Sequence, residues 1–360
     1  MERKDNFIRR QLSTKSRIVQ APMLGVTTPE MVAAANDAGA LGSLALGDLA
    51  PATCEQLIRA TKKLTERPFA VNLFSHHIPL LTGDLRIQYN RTKDFLERLA
   101  AEQQLEVVFP EADDLQFTDY RDQLDVIIEE GCRLLSVTFG CLDPVSIDRL
   151  KDEGVVLMGT CTSVEEALHL QRIGMDIIIV QGIEAGGHRG SFLGGRYPQI
   201  GGLSLLSQVR DHVDTPLIYA GGVYGGRTAK AAHLLGADAV QVGSMLLCSR
   251  ESALLPFEKE QLRRTKETDV VLTDTFTGRP ARGLRNAFVD LLQDSGYVLP
   301  YPYQNKLTQP LRQIAKLQQN AGLINIWRGQ SSPQFSEAST KEILLGLSAD
   351  IDSFPTNENQ

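Results

Sequence analysis

The stretch IIIVQGIEAGGHRG, Ile177–Gly190, decides the fold. An apolar run ends in Gln181 and passes into a glycine-rich loop carrying one histidine, His188. Such a run reads as a strand buried on both faces. The glycines that follow have no Cβ, so their N–H groups can approach a ligand closely. A histidine just past a buried strand stands where α/β folds place their chemistry.

Outward from this stretch, strand and helix signals alternate. IVQAPM (18–23), ALGSLA (40–45), FAVNLF (69–74), LLSVTFG (134–140) and VVLMGTC (155–161) precede the quoted strand, and LIYAGG (217–222) and AVQVGS (239–244) follow it. Helices are expected between them. Thr28 is placed to cap one that starts at Pro29. Ser163 is placed to cap another, with Glu166 completing a capping box. Eight short strands with intervening helices predict an α/β fold of the (β/α)8 TIM barrel type. The competing open, doubly wound sheet is disfavoured, because no GxGxxG follows the first strand. A long insertion, residues 75–119, follows the third strand. The barrel is expected over residues 1–250, a helical appendage packed on it over 251–330, and a polar, mobile tail over 331–360. Within that tail, residues 342–347 can form a short helix.

With 360 residues, 42% hydrophobic and 22% charged, the composition is that of an ordinary globular chain. The net charge of −7 comes without a lysine–arginine block, which argues against nucleic acid and acidic membranes as partners. No apolar run approaches the ~18 residues of a membrane span. The N-terminus is basic but lacks the apolar core of a secretory signal. The cysteines, Cys54, Cys132, Cys141, Cys161 and Cys248, are odd in number and form no CxxC pair. Reduced thiols in a cytoplasmic enzyme are expected, with no metal. Cys161 closes a strand and is expected in packing. His76 and His77 have no partner at ligand spacing and read as entrance or solvated residues.

Barrels of this class bind phosphate at the loops after strands seven and eight. Here those loops carry Gly221 and Gly222, then Gly243 and Ser244 at a predicted helix start that favours an anion. A phosphate-bearing cofactor follows. Met23, Asn72, Gln181 and Gln241 stand at strand ends, and amides suit a flat heteroaromatic ring with alternating donors and acceptors. A flavin fits both demands.

At this point the chain resembles a known family. QAPMLGVTTPEMVAAANDAGALGSL, RPFAVNLF, SVTFG, VQGIEAGGHRG, AGGVYGGR and QVGSMLL are similar to the motifs of nitronate monooxygenases (2-nitropropane dioxygenases). The likeness runs from about Ile18 to Arg250, with echoes at GRPARGLRN and YPYQNKLT. It implies an FMN-dependent barrel. It also implies cofactor contacts from Pro22, Met23, Asn72, Gln181, Gly186, Gly187, Gly221, Gly222, Gln241, Val242, Gly243 and Ser244. His188 would face the substrate as base or orienting residue. Ser244 stands where the family often has Thr, and its hydroxyl can still donate to phosphate.

The activity expected is oxidation of alkyl nitronates, or of neutral nitroalkanes, by O2 to a carbonyl compound and nitrite. For a neutral nitroalkane, an imidazole of ordinary pKa near ~6.5 is well placed to take the proton. The alternative is an FMN-dependent NAD(P)H reductase of quinones or enoyl thioesters on the same barrel. A non-catalytic flavin-binding barrel is a third reading. Arg189 reads as an exposed loop residue. Tyr301, Tyr303 and Lys306 read equally as entrance residues able to meet an anionic substrate and as packing or surface residues. A monomer or homodimer is expected.

Overall fold

A computed structural model of the chain describes residues 8–194, 197–331 and 335–353. Eight parallel strands form the barrel: β1 (Ile18–Gln20), β2 (Ser43–Gly47), β3 (Ala70–Phe74), β4 (Leu134–Thr138), β5 (Val156–Cys161), β6 (Ile177–Gln181), β8 (Leu217–Ala220) and β9 (Ala239–Val242). β7 (Gly187–His188) lies outside it. Successive strands pair in order, and β9 returns to β1. A parallel bridge between Val19 and Leu41 closes the remaining seam. Each expected barrel strand is present, most with ends trimmed by one to three residues, while β2 is shifted toward Gly47. Two helices of the barrel's outer layer start on proline: α1 (Pro29–Asp37) and α2 (Pro51–Lys62). Thr28 Oγ1 accepts the Met31 N–H at 3.1 Å, as its sequence position predicts.

Strand side chains alternate between two cores. In β6, Ile178 and Val180 face the helix layer, and Ile177 and Ile179 face the barrel interior. Ala70, Leu134, Met158, Ile218 and Ala239 share that interior with Ile8 and Leu12. The N-terminal segment therefore seals the barrel. Continuing the alternation brings Ala21, Ala45, Asn72, Thr138, Thr160, Gln181, Ala220 and Gln241 into the next interior layer, and all of them line one cavity. Small and polar side chains replace branched apolar ones at this level. The barrel is filled below and hollow above.

The C-terminal third carries the helices expected of it and adds two short strands. After α9 (Pro256–Arg264), residues form β10 (Val270–Thr273) and β11 (Ala281–Leu284), and then α10 (Ala287–Leu292) and α11 (Tyr303–Leu317) follow. β10, β11 and β7 make an antiparallel sheet in which Ala281 is opposite His188. The strand signal was missed because both strands are short. Of the expected mobile tail, residues 332–334 and 354–360 lie outside the described residues, and the short helix expected over 342–347 extends over residues 340–353. These form α12 (Thr340–Ser353), which packs against α1 and against α8 (Gly226–Leu234). Leu344, Leu347 and Ile351 are its buried stripe. Replacing Leu344, which is 1% exposed, with Ala is expected to cost about 3 kcal/mol in urea unfolding.

Candidate active site

The cavity at the carboxyl ends of the strands has a volume of about 820 Å³. His188 and every residue expected to contact the cofactor line it except Val242. That side chain belongs to the apolar core, and its carbonyl accepts the Ala21 N–H at 2.8 Å. Odd-numbered positions of β9 face inward, so an even-numbered valine faces the helices.

The loop that carries His188 is tied down on all sides. Gln181 donates from Nε2 to the His188 carbonyl at 3.0 Å and accepts the Gly190 N–H at 2.9 Å. Its amide thus closes its own loop, at the position where a contact to a ring ligand was expected. Arg189 is not exposed. It is fully buried and donates to the carbonyls of Gly182 at 2.6 Å and Gln181 at 3.1 Å. Glu166 does not complete the expected capping box. Ser163 accepts its N–H at 3.1 Å, but the carboxylate turns inward. It accepts from Thr162 Oγ1 at 2.8 Å and from the N–H groups of Thr162 and Phe192, both at 2.6 Å, and of Leu193, at 3.0 Å. A buried carboxylate so satisfied anchors the far end of the histidine loop.

His188 is half-buried and lines the cavity. Its Nε2 lies 2.9 Å from Thr277 Oγ1, and the Thr277 hydroxyl donates its only proton to the Arg279 carbonyl at 3.1 Å. Thr277 must therefore accept, and Nε2 must carry the hydrogen. The lone pair of the neutral ring is then on Nδ1. Phe139, Trp327 and Tyr301 surround the ring at centroid distances of 5.4, 5.5 and 6.3 Å. Burial, with the guanidiniums of Arg279 and Arg312 near it, pushes the imidazole down to about 3. His188 is neutral at physiological pH. Thr277→Val keeps the shape and removes the acceptor. It is expected to lower kcat about 10-fold with the fold unchanged, measured by steady-state kinetics and circular dichroism.

The wall opposite the barrel is cationic. Arg312 on α11 lines the cavity and donates to Thr308 Oγ1 at 3.2 Å, Asn325 Oδ1 at 2.9 Å and Asn305 Oδ1 at 2.7 Å. All these acceptors are neutral, and among the described residues Arg312 has no carboxylate partner. Burial lowers it to about 10, so it remains charged. Lys306 lines the same cavity. Arg279, nearly buried, lies over the Phe139 ring at 4.1 Å and donates to Arg189 O and Ser191 O. Tyr301 donates to Asp48 at 3.1 Å, and burial raises its hydroxyl well above the ordinary value, so it stays protonated. Tyr303 Oη donates to Pro79 O at 2.8 Å and is absent from the cavity lining. His77 is exposed, and His76 packs its ring edge on Tyr301 at 4.7 Å. Cys161 is buried in the core. Thr277, Arg279, Arg312 and Trp327 were not found from the sequence. Only the echoes at GRPARG and in the α11 segment pointed toward them.

The opposite end of the cavity is built for an anion. Gly221 and Gly222 have φ of +114° and +72°, conformations that favour glycine. Among the described residues, the N–H groups of Gly221, Gly222 and Gly243 donate to no acceptor in the chain. Ser244 opens only a three-residue 3₁₀ turn, Ser244–Leu246, where a helix was expected. Its Oγ accepts the Gly329 N–H at 2.8 Å, which leaves its own proton to donate. Among the described residues, no group of three or more His, Cys, Asp or Glu is placed to hold a metal, and no helix is long and apolar enough to cross a membrane.

The barrel thus gathers a histidine, buried cations and an anion cradle at its carboxyl end, and comparison with known proteins gives its class. The family model described as nitronate monooxygenase matches residues 6–350. A probable nitronate monooxygenase of Staphylococcus saprophyticus is 38% identical over 325 residues, covering 89% of this chain and 90% of that protein. One of Bacillus subtilis is 37% identical over 347 residues, covering 95% and 98%. The crystal structure of a nitroalkane oxidase from Streptomyces ansochromogenes superposes with a TM-score of 0.86 at 34% identity, covering 96% of this chain and 97% of that one. The chain belongs to the nitronate monooxygenase family. It is an enzyme, a flavin-dependent oxidoreductase.

Proposed function

We propose that the enzyme binds FMN and oxidises preformed alkyl nitronates with O2 to a carbonyl compound and nitrite. The observation that carries this reading is a neutral imidazole held beside buried arginines. A nitronate is already deprotonated and anionic. Arg312 and Lys306 line the cavity and favour such an anion, with Arg279 behind them over the Phe139 ring. A base whose conjugate acid titrates near 3 is poorly matched to pulling a proton from a neutral nitroalkane. His188 therefore orients the nitronate first, and deprotonation of nitroalkanes is a slower secondary activity.

The residues present fit FMN. Free N–H groups of Gly221, Gly222 and Gly243, with the Ser244 hydroxyl, would take its phosphate. Asn72, Gln241, Pro22 and Met23 would flank its ring. FMN, when bound, supplies the electron acceptance and the reactivity toward O2 that side chains lack. The chain contributes position, a water-poor cavity and positive potential. A cytoplasmic site of action fits five cysteines that are all free.

The test is oxygen uptake by FMN-loaded protein on adding propionate 3-nitronate without NADH or NADPH. Rapid uptake with nitrite release is expected. No uptake, with NADH oxidised in the presence of quinone or an enoyl thioester, would replace this reading by the reductase.

A further inference from the structure

The anion cradle is covered by a segment that no cofactor reading requires. Trp327, Arg328, Gly329 and Ser331 line the same cavity as Gly221, Gly222, Gly243 and Ser244. This strap holds three barrel loops at once. Gly329 N donates to Ser244 Oγ at 2.8 Å, Gln330 N to the Glu184 carbonyl at 2.9 Å, and Ser331 Oγ to the Gly222 carbonyl at 3.0 Å. These acceptors belong to the loops after β9, β6 and β8. At its other end the strap is joined to β11, where Leu284 N donates to Ile326 O at 3.0 Å and Arg328 N to Arg282 O at 3.2 Å. Arg328 is buried beneath and donates to Thr265 Oγ1 at 3.2 Å.

The strap and the histidine loop meet backbone to backbone. A Cβ on Gly186 would lie 2.5 Å from the Arg328 carbonyl carbon and from Gly329 N. A Cβ on Gly329 would lie 2.7 Å from the Glu184 carbonyl oxygen. Both glycines are needed for this approach, whatever ligand the cavity holds. The strap also fixes the direction of one donor. Because the Ser244 oxygen accepts from Gly329, its proton is left to point at an anion.

We propose that Trp327–Ser331 is a clasp over the cofactor's phosphate end, and that its opening sets how long FMN stays bound. This rests on the FMN reading above. FMN leaves only when the bonds to Ser244, Glu184 and Gly222 part together. Ser331→Ala removes one of them. Gln330→Pro removes the N–H that bonds to Glu184, from a residue whose side chain is exposed.

The experiment loads wild type and both variants with FMN and follows flavin fluorescence after dilution into an FMN scavenger. Each variant is expected to release FMN at least about 10-fold faster, with unchanged circular dichroism. Dissociation rates within twofold of wild type would overturn the clasp while leaving FMN binding in place. A wild-type protein that takes up no FMN overturns the reading on which the clasp depends. If a variant does not fold, amide exchange of residues 327–331 in wild type decides. FMN is expected to slow it at least 10-fold, and equal exchange with and without FMN would overturn the proposal.

Discussion

His188→Asn is expected to keep FMN bound and to lower turnover of a neutral nitroalkane by at least ~10², the size of a lost general base. Turnover of the matching preformed nitronate falls less, because only an orienting contact is lost. Steady-state oxygen uptake with the two forms of one substrate reads the difference. Equal losses would show that the ring acts the same way on both, against the role assigned here. The pH dependence follows from the depressed imidazole. With nitronate, kcat/KM is expected to show no His188 titration between pH 5 and 8. Stability carries the same sign. The unfolded ring takes up a proton near ~6.5 and the folded ring does not, so His188 costs nothing above that pH and destabilises progressively below it, down to about 3. The Asn variant lacks this loss, and its urea midpoint should fall less on acidification from pH 6.5 to 4.

Arg312→Met is expected to raise KM for anionic nitronates by about 100-fold, as removal of a buried charge that faces a substrate charge does. KM for the neutral nitroalkane should change about twofold at most. The contrast separates a lost charge from a damaged site, which would raise both. The variant also loses hydrogen bonds to Thr308, Asn305 and Asn325, so about 3 kcal/mol of stability goes with it. Lys306→Met leaves no buried acceptor without its donor and should act on KM alone, by a smaller factor. A KM for nitronate that is unmoved by Arg312→Met would show that the anion sits elsewhere in the cavity.

The barrel was legible because each of its strands is an apolar run, and such runs arise when both faces are buried. The glycines at the ends of β6, β8 and β9 were legible for a related reason. Gly187, Gly221 and Gly222 hold positive φ, which few other residues adopt, so there glycine itself is the signal. Thr277 and Arg312 were hidden because nothing near them in the sequence foretells that β11 will pair with β7 or that α11 will face the barrel mouth. Gln181 shows a subtler loss. Its position at a strand end was read correctly, but whether its amide serves the loop or a ligand depends on Gly190 and on the fold of the intervening residues. The full length of α12 was hidden because it buries a single narrow stripe, Leu344, Leu347 and Ile351, in an otherwise polar segment.

The docking of α12 between α1 and α8 has a consequence for synthesis. The ring of helices around the barrel is completed by α12, which packs against both α1 and α8. A ribosome that makes the barrel strands early cannot make a closed molecule early. Until residues 340–353 leave the exit tunnel, the apolar flanks of α1 and α8 have no cover. The nascent chain therefore spends the time needed to translate about a hundred residues after β9 as an open barrel, a natural client for chaperones, and a chain cut short before α12 is exposed at that same seam.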